Sequence, residues 1–508
     1  MLAVDLMRRG AARHMGRTAV RFENQSLTFA EVDAAANRMA NVLAGLGVTR
    51  TARVGLLIDN GIWSIPIDFA CLKAGTARVP LNVRLAADEQ ARMLTATGVR
   101  LLVHSAGQAE RAADLAGRVD RLRLVSLGST PDVDAVDILE EMTRASAADP
   151  RTPVSPGDPV LVLYTSGTTG SLKAVVHTQA SYAAIAANIL ANVVSPGRDS
   201  VMLHAASLIH ASGTFVLPYW IRGGCAAVLR GFDPEAYLDE LARHAATEIN
   251  LVPTMFGMLV SSGAAERADV SGLRTAVYGA SPMPRPLVEQ MLDLWGPRLV
   301  QYYGQTEAPL AITVLDAEDH RDPTLLGSCG YPSVDAEVAV TDEAGNAVPT
   351  GAVGELRVRA PFGMAGYAEA PDITAQTITA DGWIRTRDLA QLDDRGYLTL
   401  VDRTSDMIIT GGYNVYPREV EEALLRHPDV TGAAVVGAPD DTWVEAVTAF
   451  VTVRPGASVT EEELRQTVRA HLAGYKVPKT IRVIDAIPMS PVGKVLRRVL
   501  REPLWDRP

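Results

Sequence analysis

The chain has no long apolar run. Nowhere do eighteen successive apolar residues occur, so no segment is predicted to span a membrane. Its amino terminus, MLAVDLMRRGAARH, also lacks the apolar centre of a secretory signal. Cysteine is scarce, and Cys71, Cys225 and Cys329 lie too far apart for a disulfide framework or a metal site. We expect all three to be core residues of a soluble, cytoplasmic protein.

The chain also has fewer positively than negatively charged residues. The 48 Lys and Arg residues face 59 Asp and Glu residues, which leaves a net charge of −11 and disfavours a nucleic-acid-binding surface. A hydrophobic fraction of 47% with 21% charged residues is ordinary for a globular protein and argues against disorder. At 508 residues the chain exceeds what one core usually supports, so we expect at least two domains.

Local patterns predict how these domains are built. Up to about residue 310, short apolar strand-like runs alternate with helical stretches, which predicts α/β layers with largely parallel sheets. Residues 325–402 carry strand candidates between Asp, Gly and Pro turns, a pattern typical of a small antiparallel β subdomain. Residues 404–508 contain helix and strand candidates of their own and can form a separate α+β domain. The two predicted domains are therefore residues 1–403 and 404–508.

The chain lacks a Walker-type phosphate loop. The lysine that closes its glycine-rich run, Lys173, is followed by Ala174 rather than by Ser or Thr. What the chain has instead is TSGTTGSLK at residues 165–173, between two apolar strand-like runs. Its glycines allow close backbone approach, its hydroxyls can donate hydrogen bonds and its lysine adds positive charge. The run predicts a polyphosphate-binding loop between two strands, and a plain polar turn is the alternative.

Two further stretches carry residue types that suit a nucleotide. QYYGQTE at residues 301–307 joins aromatic rings, which can stack on a base, to Thr306 and Glu307, which can bind a phosphate and a metal ion. Taken alone it can equally be a loop with buried tyrosines. DGWIRTRD at residues 381–388 ends in Asp388, which can accept both hydroxyls of a ribose or can be a surface turn aspartate.

Two more stretches lie at and beyond the predicted domain boundary. DRTSDMIITGGYNVYP at residues 402–417 joins Arg403 to a paired-glycine turn, and PMSPVGKVLRR at residues 488–498 places Lys494 after a glycine. A lone lysine near the end of a chain is usually just solvated. Taken together, however, the five stretches occur in an order and at a spacing that resemble the adenylate-forming superfamily, which includes acyl-CoA synthetases, adenylation domains of peptide synthetases and firefly-type luciferases. The resemblance covers almost the whole chain.

This resemblance implies both a fold and an activity. The fold would be a large amino-terminal domain of two α/β subdomains and a β subdomain, followed by a small, mobile α+β domain. The activity would be that of an AMP-forming acid–thiol ligase. Such an enzyme uses ATP and Mg²⁺ to activate an aliphatic or aromatic carboxylic acid as an acyl-adenylate, releases pyrophosphate and transfers the acyl group to coenzyme A.

The resemblance also implies roles for individual residues. The loop over the β- and γ-phosphates would comprise Thr165, Ser166, Gly167, Thr168, Thr169, Gly170 and Lys173. Adenine would lie among Gly279, Ala280, Ser281, Tyr302, Tyr303 and Gly304, the ribose near Asp388 and Arg403, Mg²⁺ at Thr306 and Glu307, and pantetheine along Gly411, Gly412 and Tyr413. The catalytic set would be Lys494, which bridges the attacking carboxylate and the α-phosphate, with Arg403, Glu307 and His210. His210 would lie near the acyl pocket, and a purely structural histidine is the alternative.

The chain departs from the pattern of the family at several positions, among them Ser171, where many relatives have proline, and Ala174, where they have glycine. Ser405 stands at the implied hinge, where relatives usually carry Asp or Lys, and Arg387 replaces the glycine that usually precedes the ribose-binding aspartate. Arg387 can contact a phosphate or face solvent. Two alternatives for the acceptor stay open: a separate carrier protein, or a diazotase-type reaction with nitrite and an aryl amine. The sequence does not identify the acid, because one methylene contributes only about 1 to 3 kcal/mol of discrimination.

Overall fold

Two large sheets, a small β subdomain and a carboxy-terminal group of strands and helices make up the fold. The structure is a computed structural model that describes residues 1–166, 172–209, 211–403, 406–410, 413–440, 443–490 and 494–505. The elements up to residue 178 are α1 (Ala3–His14), β1 (Thr18–Phe22), β2 (Gln25–Thr28), α2 (Phe29–Gly45), β3 (Arg53–Leu57), α3 (Ser64–Ala74), β4 (Ala77–Pro80), α4 (Ala87–Ala96), β5 (Leu101–Ser105), α5 (Ala109–Arg118), β6 (Arg123–Leu127), β7 (Val136–Asp137), α6 (Ile138–Glu141), β8 (Pro159–Ser166) and β9 (Leu172–Thr178).

The remaining elements follow in three groups. The second α/β region contains α7 (Gln179–Asn192), β10 (Val201–His204), α8 (Val216–Arg222), β11 (Cys225–Val228), α9 (Pro234–Arg243), β12 (Glu248–Leu251), α10 (Pro253–Ser261), α11 (Ala264–Arg267), β13 (Thr275–Tyr278), α12 (Arg285–Trp295), β14 (Leu299–Tyr303), β15 (Thr313–Leu315) and β16 (Tyr331–Pro332). Next come β17 (Glu337–Thr341), β18 (Gly354–Arg359), β19 (Gly366–Tyr367), α13 (Pro371–Thr377), β20 (Ile384–Leu392) and β21 (Leu398–Arg403). The last group is β22 (Ile408–Thr410), β23 (Tyr413–Val415), α14 (Pro417–Leu424), β24 (Val430–Asp440), β25 (Val444–Val453), α15 (Glu461–Arg469), β26 (Thr480–Val483) and α16 (Arg497–Trp505).

The first large sheet has the strand order β19-β9-β8-β4-β3-β5-β6-β7. Its strands from β8 to β7 pair in parallel, whereas β8 and β9 pair antiparallel, with Thr165 opposite Lys173. The glycine-rich run therefore joins two adjacent strands, as the sequence predicted. The short strand β19 extends this sheet by pairing with β9, so that Tyr367 lies opposite Val175.

The second large sheet has the order β16-β15-β14-β13-β12-β10-β11-β1-β2. Its central strands, from β14 to β1, are parallel, and the pairs at its two edges are antiparallel. Parallel sheets are covered on both faces, so their strands read as continuous apolar runs. The largest core packs between the two sheets, with Leu161 and Val175 from the first and Val228 and Val300 from the second.

The β subdomain is the antiparallel sheet β17-β18-β20-β21. In the carboxy-terminal group, β23-β22-β25-β24 form a sheet that β26 joins in parallel with β25. This group has its own core, whose buried members all lie between Ile408 and Ile481. The backbone N–H of Arg418 donates to Asp402 at 3.0 Å and thereby links α14 to β21.

The predicted fold class, α/β layers with a β subdomain and a small α+β carboxy-terminal region, is confirmed. Cys71, Cys225 and Cys329 are buried free thiols, as expected of core residues. Within the described part of the chain, no helix has the length and apolar character needed to cross a bilayer. The boundary between residues 403 and 404 stays a prediction.

Candidate active site

The loop that follows β14 forms the centre of the site. β14 ends at Tyr303, at the carboxyl edge of the parallel strands, which is where open α/β sheets bind their ligands. The loop folds back at once, because Ile312 donates its backbone N–H to the carbonyl of Tyr303 at 2.8 Å. A Cβ on Gly304 would collide with the backbone of Leu310, so only glycine permits this approach. The fold-back places the side chains of Tyr303 and Gln305 against Asp388 of the β subdomain.

Asp388 is held there by two donors from this loop. The Tyr303 hydroxyl and Nε2 of Gln305 both donate to Oδ2 of Asp388, each at 2.5 Å. Gln305 also donates to the carbonyl of Thr386 at 2.9 Å. Asp388 is only 5% exposed, so its carboxylate has a fixed orientation beside this loop. A buried carboxylate fixed in this way can accept hydrogen bonds from ligand hydroxyls.

Glu307 lies at the other end of the same loop, beside Tyr367 and Lys173. The Tyr367 hydroxyl donates to Oε1 of Glu307 at 2.7 Å, and the loop backbone is tied to the approach to β19 by a 2.8 Å bond from Met364 N–H to the Glu307 carbonyl. Lys173 places Nζ 5.5 Å from the centre of the Tyr367 ring. The pairing of β19 with β9 explains this contact, because Tyr367 is opposite Val175, two residues along the same face from Lys173.

Charge and burial adjust the acids and bases of this group. Burial lowers the pKa of Lys173, the nearby Arg387 guanidinium lowers it further, and the Glu307 carboxylate acts in the opposite direction. Burial, together with the Glu307 carboxylate, raises the pKa of Tyr367, so its phenol stays a hydrogen-bond donor. The surroundings of Lys173 thus combine two cationic side chains, Lys173 and Arg387, with the Glu307 carboxylate.

The ends of β13 and β14 bring a second wall next to Tyr303. Tyr278, the last residue of β13, pairs with Gln301 of β14, so residues 279–281 begin beside the QYYGQTE loop. A Cβ on Gly279 would lie 2.6 Å from the ring of Tyr302, which is 5% exposed and packs in the core. Ala280 has a left-handed backbone with φ of 68°. Of the two adjacent tyrosines, Tyr303 is therefore the one that reaches Asp388.

Comparison with known proteins decides the family. The family model described as AMP-binding enzyme matches residues 7–368, and the model for the AMP-binding enzyme C-terminal domain matches residues 419–494. The chain belongs to the AMP-binding enzyme family. The predicted resemblance to adenylate-forming acyl-CoA synthetases is confirmed, and so is the predicted class, an AMP-forming acid–thiol ligase.

Relatives of this AMP-binding enzyme cover nearly its full length. A feruloyl-CoA synthase from Amycolatopsis sp. is 37% identical over 486 residues, which are 95% of each chain. A medium/long-chain-fatty-acid–CoA ligase of Mycobacterium tuberculosis is 34% identical over 508 residues, or 97% of this chain and 88% of the relative. The solved structure of amide bond synthetase McbA from Marinactinospora thermotolerans has a TM-score of 0.91 at 34% identity, covering 98% of this chain and 99% of that one.

The structure describes some of the other predicted site residues of the AMP-binding enzyme and leaves others outside the described ranges. Arg403 ends β21 with its backbone opposite Asp388, and Tyr413 begins β23 with its exposed ring stacked on Tyr475 at 4.7 Å between centres. Lys494 is exposed, and its backbone N–H donates to Oγ of Ser490 at 3.0 Å. Residues 167–170, His210, Ser405, Gly411 and Gly412 lie outside the described residues. In the part of the chain that is described, no cluster of three or more His, Cys, Asp and Glu side chains suited to a metal ion is found.

Three residues of the site were missed by sequence reasoning. Gln305 was read only as part of its motif, although it is a direct partner of Asp388. Tyr367, which fixes Glu307, lies 60 residues away along the chain, and His177 of β9, which contacts the Thr306 carbonyl, lies 129 residues away. A polar residue within a loop motif could have indicated Gln305. Nothing local in the sequence indicates the other two pairings.

Proposed function

We propose that this enzyme binds ATP in the cleft between Asp388 and Lys173 and uses it to convert a carboxylic acid to its CoA thioester through an acyl-adenylate. The observation that carries the assignment of the site is the single loop, residues 303–307, that contacts Asp388 at one end and Tyr367 beside Lys173 at the other. A carboxylate that can accept ribose hydroxyls and a cationic region that can bind phosphates thus lie at the two ends of one loop, which suits a nucleoside triphosphate.

Charge repulsion is the obstacle to the first step. One carboxylate oxygen of the acid attacks the α-phosphorus of ATP, the bond from that phosphorus to the bridging β-oxygen breaks, and pyrophosphate leaves. The attacking group and the triphosphate are both anionic, so the site must neutralise and orient them. Lys173 at the end of the glycine-rich run offers positive charge at the β- and γ-phosphates. Asp388, with Arg403 opposite it on β21, fixes the ribose, and Tyr303 lies against the adenine.

The residues present also fit a magnesium ion. Mg²⁺ in nucleotide sites is usually bound through one or two carboxylates together with substrate phosphates. Glu307 supplies such a carboxylate, oriented by the Tyr367 hydroxyl, and Thr306 supplies a neighbouring hydroxyl. When bound, the ion neutralises phosphate charge, and Glu307 and Thr306 are the residues that would hold it.

The carboxy-terminal domain, residues 404–508, completes the two half-reactions by rotating. Its separate core, confined to residues between Ile408 and Ile481, allows it to move as a unit. In adenylation Lys494 bridges the carboxylate and the α-phosphate. Rotation at Ser405 then removes Lys494 and brings the turn of Gly411, Gly412 and Tyr413 to the pantetheine channel. His210 belongs near the acyl pocket in this scheme.

A half-reaction screen tests the proposal. Hydroxycinnamates, benzoates and medium- and long-chain fatty acids are each supplied with ATP, Mg²⁺ and CoA. Pyrophosphate, AMP and thioester are then measured, the last by mass spectrometry. We expect acid-dependent pyrophosphate release for at least one class, followed by thioester formation. AMP release that requires nitrite and an aryl amine and does not depend on CoA would overturn the proposal. A thioester formed on a carrier protein but not on CoA would show that the acceptor is the carrier protein instead of CoA.

A further inference from the structure

Arg387 has a backbone conformation that disfavours its own residue type. Its φ is 61°, in the left-handed region, where a Cβ is sterically costly and glycine is not. It lies in β20 where the pairing with β18 shifts register between Glu355 and Arg357, so the strand bulges at this point. Strained non-glycine residues persist when the surroundings hold them, and they cluster at ligand-binding sites. The strain at Arg387 therefore calls for a functional reason.

The bulge places this residue between two neighbours that contact the loop after β14. Arg387 immediately precedes Asp388, whose carboxylate is held by Tyr303 and Gln305, and it follows Thr386, whose carbonyl accepts a 2.9 Å bond from Gln305. Its side chain is half-buried. Both neighbours of Arg387 are thus bound to the loop of residues 303–307, and Arg387 lies directly beside the predicted ribose-binding carboxylate.

The guanidinium also lies near the phosphate end. Its positive charge contributes to the lowered pKa of Lys173 and partly offsets the rise that burial and the Glu307 carboxylate cause in the pKa of Tyr367, so it is within electrostatic reach of the two side chains that flank Glu307. Two cations held near each other repel, and an anion between them removes that repulsion. Arg387 and Lys173 together supply a charge of +2 on one side of the cleft.

We propose that Arg387 is a phosphate-binding residue whose guanidinium, together with Lys173, binds the β- and γ-phosphates of ATP and the departing pyrophosphate. This inference rests on the proposed ATP site and adds a residue that the family pattern does not supply, since relatives usually carry glycine there. A guanidinium can bind two phosphate oxygens at once through its planar fork, which a lysine cannot.

The number of phosphates on the ligand separates this role from others. ATP and pyrophosphate carry the β-phosphate or its equivalent, whereas AMP ends at the α-phosphate. Substitution of a residue that binds the β- and γ-phosphates must therefore weaken the binding of ATP and pyrophosphate and leave the affinity for AMP unchanged. Substitution of a residue that merely supports Asp388 must weaken the binding of ATP and AMP alike, because both contain the ribose.

Binding equilibria of the full-length enzyme provide the test, and they need no knowledge of the acid. Dissociation constants for ATP, AMP and pyrophosphate are measured with Mg²⁺ by calorimetry for wild type, Arg387→Gly and Arg387→Lys. The matched control is Arg385→Gln, two residues earlier on β20, where Arg385 is paired with Glu355 at 2.6 Å. Thermal unfolding of each variant without ligand reports on folding.

We expect Arg387→Gly to weaken ATP and pyrophosphate binding at least tenfold, with AMP affinity within twofold of wild type and thermal stability unchanged or raised. The affinities of Arg387→Lys for ATP and pyrophosphate should lie between those of wild type and Arg387→Gly, and the affinities of Arg385→Gln should match wild type. Equal weakening of ATP and AMP, or no change in any of the three, would overturn the inference. Absence of acid-dependent pyrophosphate release with intact ATP binding would instead contradict the proposed function alone.

Discussion

Nε2 of His177 lies 2.8 Å from the backbone carbonyl oxygen of Thr306, so a buried imidazole ties the strand that carries Lys173 to the loop that carries Glu307. A carbonyl can only accept, so Nε2 carries the proton and donates. His177 is fully buried and follows the glycine-rich run on β9. The bond therefore joins the two segments that bind phosphate and metal in the proposed mechanism.

Replacing His177 should loosen that connection. Leucine removes the donor and leaves the Thr306 carbonyl buried without it, a loss of about 1 to 3 kcal/mol. We expect His177→Leu to raise KM for ATP roughly tenfold, and His177→Gln, whose amide can still donate, to recover most of the loss. The KM for ATP of both variants is measured from the rate of pyrophosphate release at varied ATP concentration.

A second buried histidine provides the control for general destabilisation. His104 on β5 is also fully buried, and its Nδ1 lies 3.0 Å from the carbonyl of Ser105. His104→Leu should lower thermal stability without changing KM for ATP. If His104→Leu and His177→Leu raise KM equally, His177 has no positioning role.

Asp388 should contribute to the binding of every ligand that contains the ribose. Asparagine keeps the shape of the side chain but loses the charge, and a hydrogen bond to a charged group is worth about 1.5 to 3 kcal/mol. We therefore expect Asp388→Asn to weaken ATP and AMP by the same factor, roughly tenfold to a hundredfold, with pyrophosphate unaffected. Calorimetry of the three ligands checks this pattern.

Asp381 offers a matched position on the same hairpin. It is exposed, and its Oδ1 accepts from the Thr379 hydroxyl at 2.6 Å. Asp381→Asn should bind all three ligands like wild type. Weakened ATP with unchanged AMP in Asp388→Asn would assign that carboxylate to the phosphates instead of the ribose.

Much of this architecture follows from local sequence. The short apolar run at residues 275–278 forms β13, because a run of that length fits between the two covered faces of a parallel sheet. The end of α15 at Arg469 follows less directly from the local sequence, since a helix end depends on the packing and capping that follow it. The motifs at residues 301–307 and 381–388 likewise predicted that Tyr303 and Asp388 lie close together, and their side chains are hydrogen-bonded.

The rest depends on contacts between distant segments. The strand β19 is two residues long, and nothing in its own composition predicts that Tyr367 will lie against β9 and donate to Glu307. The register shift that places Arg387 arises from the pairing of β18 with β20. The left-handed backbone conformation of this arginine cannot be predicted from the neighbouring residues, because the partner strand determines where the bulge forms.

Acid should destabilise the fold through His204. This residue is fully buried at the end of β10, its Nδ1 lies 2.8 Å from Oγ of Ser212, and burial lowers its pKa from 6.5 to about 3. The folded state thus favours the neutral imidazole, and between these two pKa values the unfolded state binds more protons. The stabilisation is complete above pH 6.5 and is lost as pH falls towards 3, at up to about 1.4 kcal/mol per pH unit.

Denaturant unfolding of the intact enzyme at pH 7, 6 and 5 measures the effect. We expect the free energy of unfolding to fall by about 2 kcal/mol more in wild type than in His204→Gln between pH 7 and 5. Glutamine can still pair with Ser212 but cannot titrate. Identical pH slopes for the two proteins would show that His204 takes up no proton on unfolding.

Lys494 should separate the two half-reactions. The backbone N–H of Ser490 donates to the Lys494 carbonyl at 2.6 Å, and the Lys494 side chain is exposed, so substitution should leave the fold intact. Loss of a donor to developing charge typically costs about 3 to 4 kcal/mol. We expect Lys494→Ala to slow acid-dependent pyrophosphate release roughly a hundred- to a thousandfold and to leave thioester formation from supplied acyl-adenylate and CoA within a few fold of wild type.

The comparison that decides the role of Lys494 uses another lysine of the same domain. Lys479 lies over the Trp443 ring, with Nζ 4.3 Å from its centre. Lys479→Ala removes the same charge from the carboxy-terminal domain, so any effect of net charge on domain rotation should appear in both variants. A specific loss of adenylation in Lys494→Ala alone places this residue at the reacting carboxylate. Equal losses of both half-reactions in Lys494→Ala would instead indicate that the side chain supports the domain in both orientations and does not touch the α-phosphate.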